Sequence, residues 1–267
     1  MKLKSQKLFI RVDANEKIGL GHLMRCLVLA KDWYKQGGKV IFISACESKK
    51  LRNKITSTGF NLVTVEDQNS ETSDLEFTLN TINDNFSNNS WVVLDGYHFS
   101  TNYQQNIRNN GNHLLIIDDN ADLNHYVADI ILNQNIHAKN LNYSYETETK
   151  LLLGTEYVLL RDEFLVYNNW KREISEVGNK ILVTMGGGDP DNVTLDVLKG
   201  LNQSNLGEYE IKVVVGLDNQ NLSTLENMAQ NSKHNVILLQ NVASIPELMA
   251  WADLAISAGG STCWELA

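Results

Sequence analysis

The chain has 267 residues, 43% of them hydrophobic, which suits one large domain or two of ordinary size with real cores. Its net charge of −9 speaks against a nucleic-acid partner, which needs basic patches, but backbone N–H groups at helix starts can still hold an anionic small ligand. The three cysteines, Cys26, Cys46 and Cys263, lie far apart without C-x-x-C spacing, so neither a disulfide framework nor a zinc site is expected.

Residues 1–9, "MKLKSQKLF", lack the apolar core of a signal peptide, and no run approaches the ~18 apolar residues of a membrane span; a soluble cytoplasmic protein is expected. "KLFIRVD" predicts a buried strand ending at Asp13. Residues 21–36 predict a helix, with Leu23, Leu27, Ala30 and Tyr34 near one face. "KVIFISA" predicts a strand, a helix-like stretch starts at Glu47, and "FNLVTV" is a short strand. A weaker helical pattern lies near 74–86, followed by the strands "WVVLDGY", "HLLIIDD" and "DIILN". This alternation predicts a parallel sheet covered on both faces.

The polar stretch "RDEFLVYNNWKREISEVGN" reads as a short helix and a linker. A second series follows: the strand of "KILVTMGGGDP", a helix from about Asn192, "EIKVVVGL", a helix near 219–230, "NVILLQ", "SIPELMAWA", "DLAISAGG" and a helix opening at Thr262. In "SIPE", Ser244 can cap while Glu247 reaches back. The fold class is therefore α/β, with two Rossmann-like parallel-sheet domains over about 1–165 and 178–267. The pattern stops inside a helix at Ala267, so the second domain is expected to be incomplete.

Ligands of open parallel sheets sit beyond the carboxyl ends of strands. That places the candidate chemistry in the loops at 13–22, 95–98, 118–120, 185–191, 216–219, 241–244 and 257–262, which two facing domains would gather around one cleft. "MGGGDPDN" lacks the lysine of a P-loop and the spacing of a dinucleotide fingerprint. It is either a glycine-rich turn or a loop that lets the backbone approach a ligand. In "SAGGSTCWE", the hydroxyls of Ser261 and Thr262 and the N–H groups beside Gly260 suit a diphosphate. Glu265 could accept from two ribose hydroxyls, or simply close a T-x-x-E capping box with Thr262. In "LDGYHF", Tyr97 either donates to a sugar or leaving oxygen or packs against the next helix. His98, His113, His125, His137 and His234 lack metal-like spacing and read as surface or core residues.

His22 is different, because it falls at the tip of the first helix, just after "GLG". The positive end of a helix disfavours an imidazolium, so a histidine there suits the neutral form that takes a proton from water. Asp13, at the end of the preceding strand, is the expected partner that orients the ring or holds the water.

Taken together, "RVDANEKIGLGHLMRCLVLA", "VVLDGYHF", "YVLLRDEF", "VTMGGGDPDN" and "LAISAGGSTCWELA" resemble the PseG-type UDP-2,4-diacetamido-2,4,6-trideoxy-β-L-altropyranose hydrolases of pseudaminic acid biosynthesis. The C-terminal part is also similar to the UDP-binding half of MurG-type glycosyltransferases. The resemblance implies a GT-B fold, with UDP on the second domain and the sugar facing the first. It implies inverting hydrolysis at the anomeric carbon, with a UDP-sugar as ligand and without metal or cofactor. By position it implies that His22 activates water, that Tyr97 lies near the sugar, and that Glu265 binds the ribose. The backbone around Val242 would meet uracil, and Gly187, Gly188, Ser261 and Thr262 would hold the diphosphate. Gly21, Arg25 and Gly260 complete the substrate-binding candidates. The family continues past the point corresponding to Ala267, which is where this chain departs from it.

Two other readings stay open: a MurG-like glycosyltransferase acting on a UDP-amino sugar, and an inactive UDP-sugar-binding fragment. An NAD-binding protein is disfavoured because "GLGHLM" breaks the third glycine of the fingerprint.

Overall fold

Near-continuous apolar runs make strands that must be covered on both faces, and the first of them organises everything around it. The computed structural model of the chain describes every residue except 1, 2, 4, 5, 14–20, 46–48, 66–69, 86–89, 187, 188, 206, 217 and 218. Two units divide the chain, Met1–Leu159 and Leu160–Ala267.

In the first unit the described elements run β1 (Lys7–Val12), α1 (Gly21–Lys35), β2 (Lys39–Ser44), α2 (Lys49–Thr56), β3 (Asn61–Thr64), α3 (Glu71–Asp84), β4 (Trp91–Asp95), α4 (Thr101–Asn109), β5 (His113–Ile117), β6 (Ile130–Asn133) and β7 (Lys150–Leu153). The strands form one parallel sheet in the order β3-β2-β1-β4-β5-β6-β7. Side chains alternate between faces along a strand. Leu8, Ile10 and Val12 therefore pack with Leu23, Cys26, Leu27 and Ala30 of α1. Phe9 packs on the other side with Leu75 and Ile82 of α3 and Tyr103 and Ile107 of α4. The chain first winds outward through β2 and β3, then resumes on the far side of β1 at β4. The strand order reverses between β1 and β4, and the crevice beyond their carboxyl ends is where such sheets bind ligands.

In the second unit come α5 (Asp162–Leu165), β8 (Lys180–Thr184), α6 (Val193–Gln203), β9 (Glu210–Val214), α7 (Leu222–Gln230), β10 (Asn235–Leu239), α8 (Ile245–Trp251), β11 (Leu254–Ser257) and α9 (Ser261–Leu266). The four strands are parallel in the order β10-β9-β8-β11, over a core of Ile181, Val183, Leu198, Ile211, Val213 and Leu225. The order reverses between β8 and β11. The loops that leave these two strands are the two glycine-rich segments of the sequence.

The predicted helix over 21–36 is α1, and the weak pattern near 74–86 is α3, which starts earlier because Ser70 caps it in a reciprocal box with Ser73. Two elements were not predicted. α4 (TNYQQNIRN) has only Tyr103 and Ile107 as large apolar residues facing the core, and β7 (KLLL) is four residues long. The polar segment over 166–179 has no helix or strand and lies with the second unit. Among the described residues no helix is long and apolar enough to cross a membrane.

Candidate active site

His22 is the second residue of α1, and its side chain is 10% exposed. Its Nδ1 lies 2.6 Å from Oδ1 of Asp95, the last residue of β4. Asp95 has the strand parity of Trp91 and Val93, so it projects to the face that α1 covers. There Arg25 donates from Nη2 to Oδ1 (2.6 Å) and from Nε to Oδ2 (2.7 Å), and the Cys26 thiol reaches Oδ2 at 3.3 Å. Residues 22, 25 and 26 share one helical face. All three converge on one fully buried carboxylate.

A second carboxylate, Asp119, follows β5. Arg25 donates to it from Nη1 (2.8 Å) and Nη2 (3.0 Å), Asn135 Nδ2 donates at 2.9 Å, and the Tyr97 hydroxyl donates at 3.1 Å. Tyr97 is 65% exposed, and its ring stands edge-on to that of His22 with centroids 5.2 Å apart. The group thus holds one arginine against two carboxylates, leaving it one net negative charge while His22 is neutral.

The electrostatics follow from this packing. Burial pushes the Asp95 carboxyl up, but Arg25 and then His22 outweigh it, and the carboxyl ends below its ordinary range. Asp119 behaves alike, with burial opposed by Arg25, Asn135 and Tyr97. Burial and then Asp119 push the Tyr97 phenol up to about 12, so it is a donor at neutral pH. Burial and the Asp95 charge raise the Cys26 thiol, which keeps its proton. An ionised Asp95 can only accept, so the short contact requires the proton on His22 Nδ1. Arg25 Nη2 lies 3.1 Å from the same nitrogen, but both groups are donors crowded around Oδ1, and the shorter contact decides the tautomer. In the neutral tautomer that this contact selects, the lone pair is on Nε2, the form a general base needs.

Asp13 does not orient His22, which corrects that part of the expectation. It has the parity of Phe9 and Arg11 and projects to the opposite face of the sheet. There it accepts from Arg11 and from the backbone N–H of Ala45 (2.9 Å), with His98 Nε2 at 3.4 Å. Arg11 also holds Asp74, which the Tyr103 hydroxyl meets at 2.7 Å. Sequence reasoning passed over Asp95 and Asp119 as partners, although the apolar parity of "WVVLD" and "HLLIIDD" places both on the face of α1. Arg25, expected at the substrate, gives four hydrogen bonds to these two carboxylates. Gly21 opens α1 and is exposed.

In the second unit, Gly187 and Gly188 lie outside the described residues. Just after them Asp189, at φ 44°, accepts from the N–H groups of Val193 (2.8 Å) and Thr194 (3.0 Å). The first donors of α6 are therefore taken by the loop's own carboxylate. The start of α9 differs. Gly260, at φ 112°, is its N-cap, without a side-chain cap, and Ser261 and Thr262 are half-buried. Because α9 begins at Ser261, Glu265 is its fifth residue, which removes the capping-box alternative. Its carboxylate instead receives Arg161 through Nε (2.7 Å) and Nη2 (2.9 Å). Val242 is half-buried in the turn between β10 and α8, where Ser244 accepts from the Glu247 N–H at 3.4 Å. Among the described residues no three His, Cys, Asp or Glu side chains group to hold a metal ion.

Residues 180–267 match the model of the Glycosyltransferase family 28 C-terminal domain. Over 269 residues the chain is 29% identical to an uncharacterized protein of Methanocaldococcus jannaschii, covering 97% of this chain and 53% of that protein, so it spans about half the length of that relative. Over 258 residues it is 27% identical to the UDP-2,4-diacetamido-2,4,6-trideoxy-beta-L-altropyranose hydrolase of Campylobacter jejuni, covering 96% and 85% of the two chains. Among solved structures, MurG of Acinetobacter baumannii matches at TM-score 0.62 with 13% identity, over 97% of this chain and 74% of that one. Identity at that level speaks for the fold alone. The two parallel sheets and this likeness make the fold that of the GT-B glycosyltransferases, built from two Rossmann-like domains.

Proposed function

We propose that the chain hydrolyses a UDP-linked diacetamido-trideoxyhexose, UDP-2,4-diacetamido-2,4,6-trideoxy-β-L-altropyranose, to UDP and the free sugar in pseudaminic acid biosynthesis. The observation that supports this reading is the buried His22–Asp95 pair at the carboxyl end of β4, the end at which open parallel sheets bind ligands. In this mechanism Nε2 takes a proton from water as the water oxygen bonds to the anomeric carbon. The bond from that carbon to the UDP oxygen breaks with inversion, and UDP leaves as a stable anion. Asp95 stabilises the imidazolium that forms, as the carboxylate of a catalytic triad does. Tyr97 meets the sugar from beside the base, and because its proton goes to Asp119 its oxygen accepts from a sugar hydroxyl. The N–H groups and hydroxyls at Gly260, Ser261 and Thr262 hold the diphosphate, with Gly187 and Gly188 as further contacts. Glu265 accepts from the ribose, and the backbone at Val242 meets uracil. The 27% identity to the Campylobacter jejuni hydrolase supports the choice of sugar.

A second reading is transfer of a UDP-amino sugar to an acceptor other than water. The family 28 match over 180–267 and the MurG-like fold favour it. Mass spectrometry of products from a panel of UDP-amino sugars, without added acceptor, separates the two. The hydrolase releases UDP and the matching free sugar, and continues to do so in EDTA. UDP that appears only when an acceptor is supplied contradicts hydrolysis and favours transfer.

A further inference from the structure

The Glu265 carboxylate has about four acceptor positions, two on each oxygen. Arg161 occupies one on each oxygen through a fork of Nε and Nη2, at 2.7 and 2.9 Å. Among the described residues no other donor reaches this carboxylate. One acceptor position per oxygen remains, and the side chain is only 9% exposed, so the open positions point in few directions.

Arg161 is itself fixed. Its Nη1 pairs with Glu163 Oε1 at 2.6 Å, and its guanidinium lies 4.8 Å from the centroid of the Phe164 ring. Each of its three nitrogens serves a carboxylate, three of its five N–H donors in all. Arg161 belongs to "YVLLRDEF", a segment that the mechanism above does not use.

We infer that Arg161 is a positioning residue for nucleoside recognition, holding Glu265 so that its two open acceptor positions receive the two vicinal hydroxyls of a ribonucleoside diphosphate. This rests on the nucleotide reading of the preceding subsection and adds a specificity to it. The ligand must carry both the 2′- and 3′-hydroxyls, because a lost hydroxyl leaves a nearly buried carboxylate position without a donor. Lysine cannot replace arginine fully here, since an ammonium lacks the planar fork that sets the carboxylate plane.

The test is calorimetric titration of UDP and of 2′-deoxy-UDP into the whole chain, with Arg161→Met, Arg161→Lys and Glu265→Gln beside it. The ratio of the two affinities on one preparation is independent of the fraction folded, so a destabilised variant still reports. The unsubstituted chain should prefer UDP by about 10- to 100-fold, the scale of a hydrogen bond to a charged group. Arg161→Met should bring the ratio to within about threefold of unity, as Glu265→Gln does, and Arg161→Lys should fall between. If Arg161→Met keeps the full preference while Glu265→Gln loses it, Arg161 is only structural and the inference is overturned. If the unsubstituted chain binds neither nucleotide, the nucleotide reading itself fails and takes the inference with it.

Discussion

At the scale of single residues, the chemistry of His22 is decided by what holds its other nitrogen. Asp95 fixes the proton on Nδ1, and Arg25 keeps Asp95 ionised although it is fully buried. Replacing Asp95 with Asn offers an amide that can donate to Nδ1, and the lone pair then moves away from Nε2. Turnover should fall by about 10²–10⁴-fold. The same change leaves Arg25 buried with only Asp119, and loss of one partner from a buried ion pair costs about 3–5 kcal/mol. A urea midpoint that stays put would contradict that account of the packing. The pH dependence has a definite sign. Both Asp95 and Asp119 are held below their ordinary values, so the unfolded chain binds protons first as the medium is acidified. The stability they contribute is present above about pH 4 and is lost as pH falls through their folded values. Urea midpoints measured down the acid range should drop more steeply for the unsubstituted chain than for Asp95→Asn, and equal slopes would contradict this.

At the scale of elements, strand parity sorts the carboxylates. Asp95 and Asp119 continue the face that carries Val93, Leu115 and Ile117 under α1, whereas Asp13 continues the face of Phe9. The turn from α1 into β2 is equally constrained. A Cβ on Gly38 would collide with Nε1 of Trp33, whose indole packs on the core and donates to the Gln6 carbonyl at 3.3 Å. Gly38→Ala should therefore cost about 1–3 kcal/mol, the usual range for overpacking. An unchanged melting temperature would show that the indole gives way freely. Much of this layer was legible in the sequence. Apolar runs such as "KLFIRV" and "WVVLD" announced parallel strands, and "GLGHLM" announced a helix start bearing a histidine. α4 was hidden because a polar nonapeptide with two core contacts carries almost no periodicity. The orienter of His22 was hidden for another reason. Pairing between α1 and β4, 73 residues apart in sequence, leaves no local mark, and proximity along the chain favoured Asp13. Even so, parity alone could have excluded Asp13.

At the scale of the whole molecule, each unit carries a reversal of strand order and, among its candidate site residues, a carboxylate held by arginine. Asp95 is held by Arg25 in the first unit, and Glu265 by Arg161 in the second. The account assigns proton transfer to the first and nucleotide binding to the second. The roles of Gly187 and Gly188 were inferred from composition and resemblance, and glycines leave little local pattern beyond permission for a close approach. Asp189, which was not singled out, accepts from the first N–H groups of α6, so those donors are already taken by the loop itself. Separate roles predict separable losses. The most direct test is His22→Asn, which keeps size and hydrogen bonding but removes the base. Single-turnover release of UDP from UDP-2,4-diacetamido-2,4,6-trideoxy-β-L-altropyranose and calorimetric affinity for UDP should be measured on the same preparation. The account predicts release slowed by about 10²–10⁴-fold, with UDP affinity nearly unchanged. Hydrolysis at the full rate by His22→Asn would contradict it.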